Sequence, residues 1–131
     1  MKRDMELCRK ILFKIEKEYV DTALIDLKID GYTTEEVADH CKLLYEAGLV
    51  SDYKSQYANG HIYIFNVGSL TWEGHDFLDK IREDTVWHKT KEVITKKGLP
   101  MVLKVVESIA STIIASMTEG AIKAITEKGG V

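Results

Sequence analysis

Asn59-Gly60 limits the possible folds of this chain more than any other feature. Both residues tolerate positive φ, and such a pair between two β-prone runs makes the tight turn of a hairpin. The flanking runs, Leu49 to Tyr57 and His61 to Val67, therefore read as antiparallel strands. A lone hairpin is marginal in water, so it must lie against an apolar surface. The rest of the chain is patterned to supply one.

Asp4 is placed to cap a helix from about Asp4 to Tyr19. Met5, Cys8, Ile11, Leu12, Ile15 and Tyr19 recur there at three- and four-residue steps and share a face. Ala23 to Ile29 alternates, with Ile25, Leu27 and Ile29 apolar and Asp26 and Lys28 polar, which predicts a short half-buried strand. Thr33 and Glu36 form a capping box for a helix from about Thr34 to Ala47. Its inner face is Val37, Cys41 and Leu44, with Ala38 and Tyr45 beside them, and Gly48 ends it. Thr71 caps a further helix carrying Trp72, Phe77, Leu78 and Ile81. Another, about Val86 to Lys97, has Val86, Thr90, Val93 and Ile94 on one side. Gly98 and Pro100 mark the best boundary, since glycine stops one helix and proline can open the next. The last helix runs from about Pro100 to Glu127, with a break expected near Gly120.

The order is helix, short strand, helix, hairpin, helix. It predicts an α+β, mainly α fold: a winged-helix-like domain over residues 1–84, followed by a C-terminal helical extension over 85–131. Only Asp30-Gly31-Tyr32 separates Ile29 from the Thr33 cap, so the helix-turn-helix is truncated.

Several segments resemble one family in order and at plausible spacing. They are Met1-Lys2-Arg3-Asp4-Met5, Asp30-Gly31-Tyr32-Thr33, His40-Cys41-Lys42-Leu43-Leu44 and Ala47-Gly48-Leu49-Val50. Leu70-Thr71-Trp72-Glu73-Gly74-His75-Asp76-Phe77-Leu78 and the stretch from Ile81-Arg82 to Trp87 complete the set. The chain resembles the uncharacterised domain-of-unknown-function family 2513, short proteins of bacteria, phages and prophages. The resemblance implies a winged-helix-like fold and a mobile-element setting, and it supplies no catalytic residue.

Charge argues against the commonest use of that fold. The whole chain has formal net charge −3. Residues 21–84 hold five basic and thirteen acidic groups, net −8, while both ends are basic. The helix that would enter the major groove carries Glu35, Glu36, Asp39, Lys42 and Glu46, net −3. Phosphates on both groove walls repel such a helix, so specific nucleic-acid binding is not expected. The same acidic face, with Tyr53 and Tyr57 of the hairpin, is instead the candidate for binding a partner: Glu35, Glu36, Asp39, Lys42, Tyr53 and Tyr57.

No recognisable chemistry competes with that reading. His40, His61, His75 and His88 lack metal-ligand spacing, and Cys8 and Cys41 fall on apolar helix stripes. No nucleophile elbow, phosphate loop or dinucleotide fingerprint is present. Glu73-Gly74-His75-Asp76 is helical, and Asp76, Asp79, Glu83 and His75 read as a solvated face. Tyr63, Phe65, Trp72 and Trp87 read as core or helix-docking residues. No enzyme activity, metal or cofactor is expected.

The last helix is unusual. Val102, Val106, Ile109, Ile113 and Met117 form one stripe, flanked by Leu103, Ala110, Ile114 and Ala121. Between Glu107 and Glu119 it carries no charge on any face, unlike an ordinary surface helix. It can bury one side within the chain, pair with a second copy, or touch a membrane. The stripe Val102, Val106, Ile109, Ile113 and Met117 is the candidate oligomerisation surface. The longest uncharged stretch, Ser108 to Thr118, is too short for a span. The charged start without an apolar run reads as no signal peptide, hence a cytoplasmic protein. The sequence thus predicts a non-catalytic phage- or prophage-type accessory protein acting by protein–protein contact and self-association. The alternative is a winged-helix DNA-binding transcriptional regulator.

Overall fold

The structure is a computed structural model describing residues 1–128. The elements in chain order are α1 (Met5–Glu18), β1 (Leu24–Ile25), α2 (Thr34–Glu46), β2 (Tyr53–Ala58) and β3 (His61–Val67). They are followed by α3 (Trp72–Ile81), α4 (Asp84–Lys96) and α5 (Leu103–Lys128). The fold is α+β and mainly helical, with one three-stranded antiparallel sheet. The chain divides into two compact units, Met1–Leu78 and Asp79–Val131, so the division falls inside α3. Residues 129–131, the end of the expected helical extension, lie outside the described residues.

The first unit is assembled by its caps. Asp4 Oδ1 accepts from the amides of Glu6 (2.9 Å) and Leu7 (3.2 Å), which starts α1. Leu7, Cys8, Ile11, Leu12 and Ile15 are buried along its inner face, while Tyr19 lies past the helix end, half-buried. Arg9 is also buried, its guanidinium 4.9 Å from the centre of the Phe13 ring. In α2 the capping box is complete: Glu36 N donates to Thr33 Oγ1 (3.1 Å) and Thr33 N to Glu36 Oε1 (2.9 Å). Val37, Ala38, Cys41 and Leu44 are buried, whereas Tyr45 is exposed rather than beside the core. Gly48 takes φ +78° and turns the chain out of the helix.

His40 ties the two helices together. Its Nε2 accepts from the Asp4 amide at 2.9 Å, and its Nδ1 lies 2.7 Å from the Glu36 carbonyl. An N–H partner requires a bare Nε2, so the proton sits on Nδ1 and is donated to that carbonyl. This histidine is a buried structural clamp at 2% exposure.

The sheet has the order β1-β3-β2, with β3 central. Asn59 (φ +54°) and Gly60 (φ +78°) make the hairpin turn as expected. Tyr53 pairs with Val67 and Lys54 with Asn66, and the register shifts between Gln56 and Tyr57, where β3 carries Tyr63 as an extra residue. Phe65 and Val67 face the core and are fully buried. The strand begins at Tyr53 rather than Leu49, because Val50 instead bridges to Leu70.

The expected seven-residue first strand is corrected to two residues. Asp26 adopts φ +49°, its amide donates to the Phe65 carbonyl (2.9 Å), and its carboxylate accepts from the Phe65 amide (3.0 Å). The side chain thus takes the place of a ladder carbonyl and bends the chain away. Leu27 is buried but Ile25 is 63% exposed, so the alternation did not mark one buried face.

Thr71 and Gly74 fasten α3 beneath the end of α2. Thr71 N donates to the Leu49 carbonyl (3.0 Å), Thr71 Oγ1 donates to the Gly48 carbonyl (2.6 Å), and Thr71 Oγ1 accepts from Gly74 N (3.0 Å). A Cβ on Gly74 would overlap the Leu49 carbonyl, so only glycine permits this approach. Phe77, Leu78 and Ile81 are buried, but Trp72, one residue past the cap, is 79% exposed.

In the second unit α4 and α5 pack together as a helical hairpin, joined through Gly98 at φ +64°. Val86, Trp87, Thr90 and Ile94 of α4 are buried, and Val93 is half-buried. Pro100 does not open α5. Its carbonyl accepts from Val102 N (3.0 Å), and the helix starts at Leu103. It continues without a break through Gly120. Of the expected stripe, Val106 is buried, Val102, Ile109 and Ile113 are half-buried, and Met117 is exposed. Ala110, from the neighbouring row, is fully buried. Over Leu103–Ala124, at mean hydropathy 1.2, α5 is long and apolar enough to cross a membrane by length and composition, where the sequence predicted no span.

Candidate functional site

Helix α2 carries Glu35, Asp39, Lys42 and Glu46 at four-, three- and four-residue steps, which places them on one stripe. The opposite side of the helix is the buried face of Val37, Ala38, Cys41 and Leu44. The stripe is therefore the outward face: Glu35, Lys42 and Glu46 are exposed and Asp39 half-buried. Helix α2 also packs against β2 and β3, so this stripe borders the hairpin.

A side-chain contact and an electrostatic influence link the stripe to the hairpin. Glu35 Oε1 lies 3.2 Å from His61 Nδ1 at the start of β3. Asp39 and Tyr57 both act on Tyr53, whose phenol is pushed up chiefly by burial and secondarily by those two groups and Cys41. The Tyr53 ring is tilted against Phe65 at 6.3 Å between centroids, so Tyr53 anchors the hairpin to the core. Tyr57 is 58% exposed and free to meet a partner.

The six expected residues thus do not stand alike. Glu35, Asp39 and Lys42 share the outward stripe of α2, and Tyr57 stands exposed on β2. Glu36 spends its carboxylate on the Thr33 amide, and Tyr53 is half-buried packing. Three features of the first unit were not foreseen. His40 is a clamp between α1 and α2. Trp72 and Tyr63, which read from sequence as core or helix-docking residues, are exposed, at 79% and 72%. The bulge explains Tyr63: an extra residue on β3 places it on the outer sheet face beside Ile64. There Lys54, Gln56, Tyr63, Ile64 and Asn66 line an open hollow of about 460 Å³. Asn66 Oδ1 is buried there without a hydrogen-bond partner.

Cys8 and Cys41 are buried free thiols, and burial pushes both up to about 12. Cys8 of α1 adds a smaller upward push to Cys41 of α2. Among the described residues, no three of His, Cys, Asp and Glu are grouped to hold a metal ion.

No solved structure matches the chain. An uncharacterised protein of Haemophilus influenzae (strain ATCC 51907 / DSM 11121 / KW20 / Rd) is 43% identical, in a match covering 89% of this chain and 98% of that protein. A family model described as "Hypothetical protein (DUF2513)" matches residues 2–100, from the residues before the Asp4 cap to Pro100. That span holds the α2 stripe, the hairpin and the Thr71–Gly74 fastening, and the chain belongs to the DUF2513 family.

Proposed function

We propose that this chain is a non-catalytic accessory protein of a phage or prophage that works in the cytoplasm by docking another protein. Its first unit is read as a winged-helix-like scaffold whose hairpin is the wing. The docking face is Glu35, Asp39, Lys42 and Tyr57, on α2 and the hairpin.

The observation that carries the reading is the sign of the outward face of α2. Glu35, Asp39 and Glu46 stand on it against one cation, Lys42. A helix in the major groove lies between two rows of phosphates, and each carboxylate there is repelled. The arrangement suits a basic protein surface instead, where exposed carboxylates and an aromatic give orientation and anchoring. A winged-helix DNA-binding regulator is the second reading. The order of helices and hairpin favours it, and the charge of the helix opposes it.

Affinity capture from the bacterium that encodes the chain tests the proposal. The wild type and an Asp39→Lys/Tyr57→Ala variant are compared quantitatively. A protein retained by the wild type and lost with the variant supports the docking face. Equal capture by both, or recovery of a discrete DNA sequence with the wild type, overturns it.

A further inference from the structure

The chain contains two asparagines, Asn59 and Asn66, and both lie on the β2–β3 hairpin. Their settings are opposite. Asn66 sits in the central strand, paired with Lys54 on one side and Ile25 on the other, and is followed by the buried, branched Val67. Asn59 is at the tip. Every residue from Ala58 to His61 is exposed. The residue after Asn59 is Gly60, where nothing lies within 4 Å of an added Cβ. The ladder closes at the pair Ala58–His61, so the amides of the two residues between them carry no ladder bond.

We propose that Asn59 is a site of self-modification, in which the Gly60 backbone nitrogen attacks the Asn59 carboxamide and the turn ends as aspartate or isoaspartate. The nitrogen gives its proton to solvent and bonds to Asn59 Cγ. The Cγ–Nδ2 bond breaks, and its nitrogen leaves as ammonia from a five-membered imide. One water then opens the ring. Opening at Cγ leaves an ordinary aspartate. Opening at the main-chain carbonyl leaves isoaspartate, with the backbone running through Cγ. One water is consumed, one ammonia is released, and nothing is oxidised or reduced.

The turn permits the attack while folded. Positive φ at both turn residues, +54° and +78°, is the type I′ arrangement. Closing the ring requires the Asn59–Gly60 peptide plane to turn about the Asn59 Cα–C bond. That rotation carries the turn toward type II′, which also has positive φ at its first central residue, and glycine accepts either sign of φ at the second. The hairpin thus reaches the attack geometry with Ala58 still paired to His61. The Val67 nitrogen after Asn66 has no such freedom, because Val67 is paired with Leu24 and Tyr53 and its branched side chain crowds the approach.

Either product adds one negative charge beside the Glu35–His61 contact, since position 59 precedes His61 by two residues. Isoaspartate also lengthens the backbone between Ala58 and His61 by one atom, in a loop whose length fixes the strand register. The end of the hairpin therefore loosens as the protein ages. This holds whether or not the neighbouring face docks a protein.

Incubation of the folded full chain at mildly alkaline pH, followed by peptide mass spectrometry, tests the site. Position 59 should gain about 1 Da while position 66 stays unchanged. Part of the product should accept a labelled methyl group from an isoaspartyl methyltransferase. Asn59→Gly, which keeps a residue suited to positive φ but has no carboxamide to attack, should accept none. The converted fraction, separated by its added charge, should exchange the β2–β3 amides with deuterium faster than the starting protein. Freshly prepared Asn59→Asp, with the charge but an ordinary backbone, should not. An unconverted position 59 in the folded chain, equal conversion at position 66, or unchanged exchange in the converted fraction overturns the proposal.

Discussion

Gly74→Ala should destabilise the first unit although it improves helix propensity. In a solvent-exposed helix the change favours the fold by about 1 kcal/mol. Here the added methyl would overlap the Leu49 carbonyl, which is backbone and already accepts from Thr71 N. To admit it, the start of α3 must move off the end of α2. That motion breaks two hydrogen bonds, Thr71 N to Leu49 and Thr71 Oγ1 to Gly48, at about 1 kcal/mol each. Overpacking adds about 1–3 kcal/mol. Subtracting the propensity gain leaves a net loss of about 2–4 kcal/mol. Urea unfolding followed by circular dichroism should show a midpoint lower by about 1–2 M, given the usual denaturant slopes. Thr71→Val removes the hydroxyl bond to the Gly48 carbonyl and the cap on Gly74 N while leaving the backbone bond to Leu49, so the double variant should lose less than the sum of the singles. A neutral or stabilised Gly74→Ala, or strict additivity, would refute the close-approach argument.

Other consequences can be checked on the same protein. Asn66→Val should raise stability by about 1 kcal/mol in urea unfolding, because it removes a buried acceptor without a partner from a central strand; a loss would mean that Asn66 is bonded in solution. Cys8 and Cys41 should resist a thiol reagent at pH 8 until the protein is denatured, since their folded values are pushed to about 12. The native state holds these protons more tightly than the unfolded chain, whose thiols titrate near 9.0. The thiol contribution is therefore complete below about pH 9 and should fade as pH rises from there toward about 12. In a mobility-shift assay with genomic duplexes the wild type should give at most weak retardation that disappears with added salt; a sequence-selective shift surviving moderate salt would favour the regulator reading.

The features legible in the sequence were those that a few adjacent residues decide. Asp4, the Thr33–Glu36 box, Gly48, Asn59-Gly60 and Thr71 act on backbone groups within four residues, and each appears where its chemistry placed it. Features set by distant partners were not legible. Asp26 bends β1 through Phe65, thirty-nine positions away. The bulge that exposes Tyr63 depends on how β3 registers with β2. Trp72 looked like core by composition, yet it follows the cap on the outer side of α3. His40 gave no signal as a clamp, because its partner is the amide of Asp4 on another helix. The candidate face was partly legible: the acidic stripe follows from helical spacing, whereas the withdrawal of Glu36 into the cap and of Tyr53 onto Phe65 follows from contacts.

Photo-crosslinking in the living host tests the central claim most directly. A photoreactive amino acid replaces Asp39, at the centre of the α2 stripe, and a second chain carries it at Glu92, an exposed position on α4. The account predicts a discrete protein adduct from position 39, absent from position 92 and diminished by Tyr57→Ala. A nucleic-acid adduct from position 39, or the same protein adduct from both positions, would contradict it.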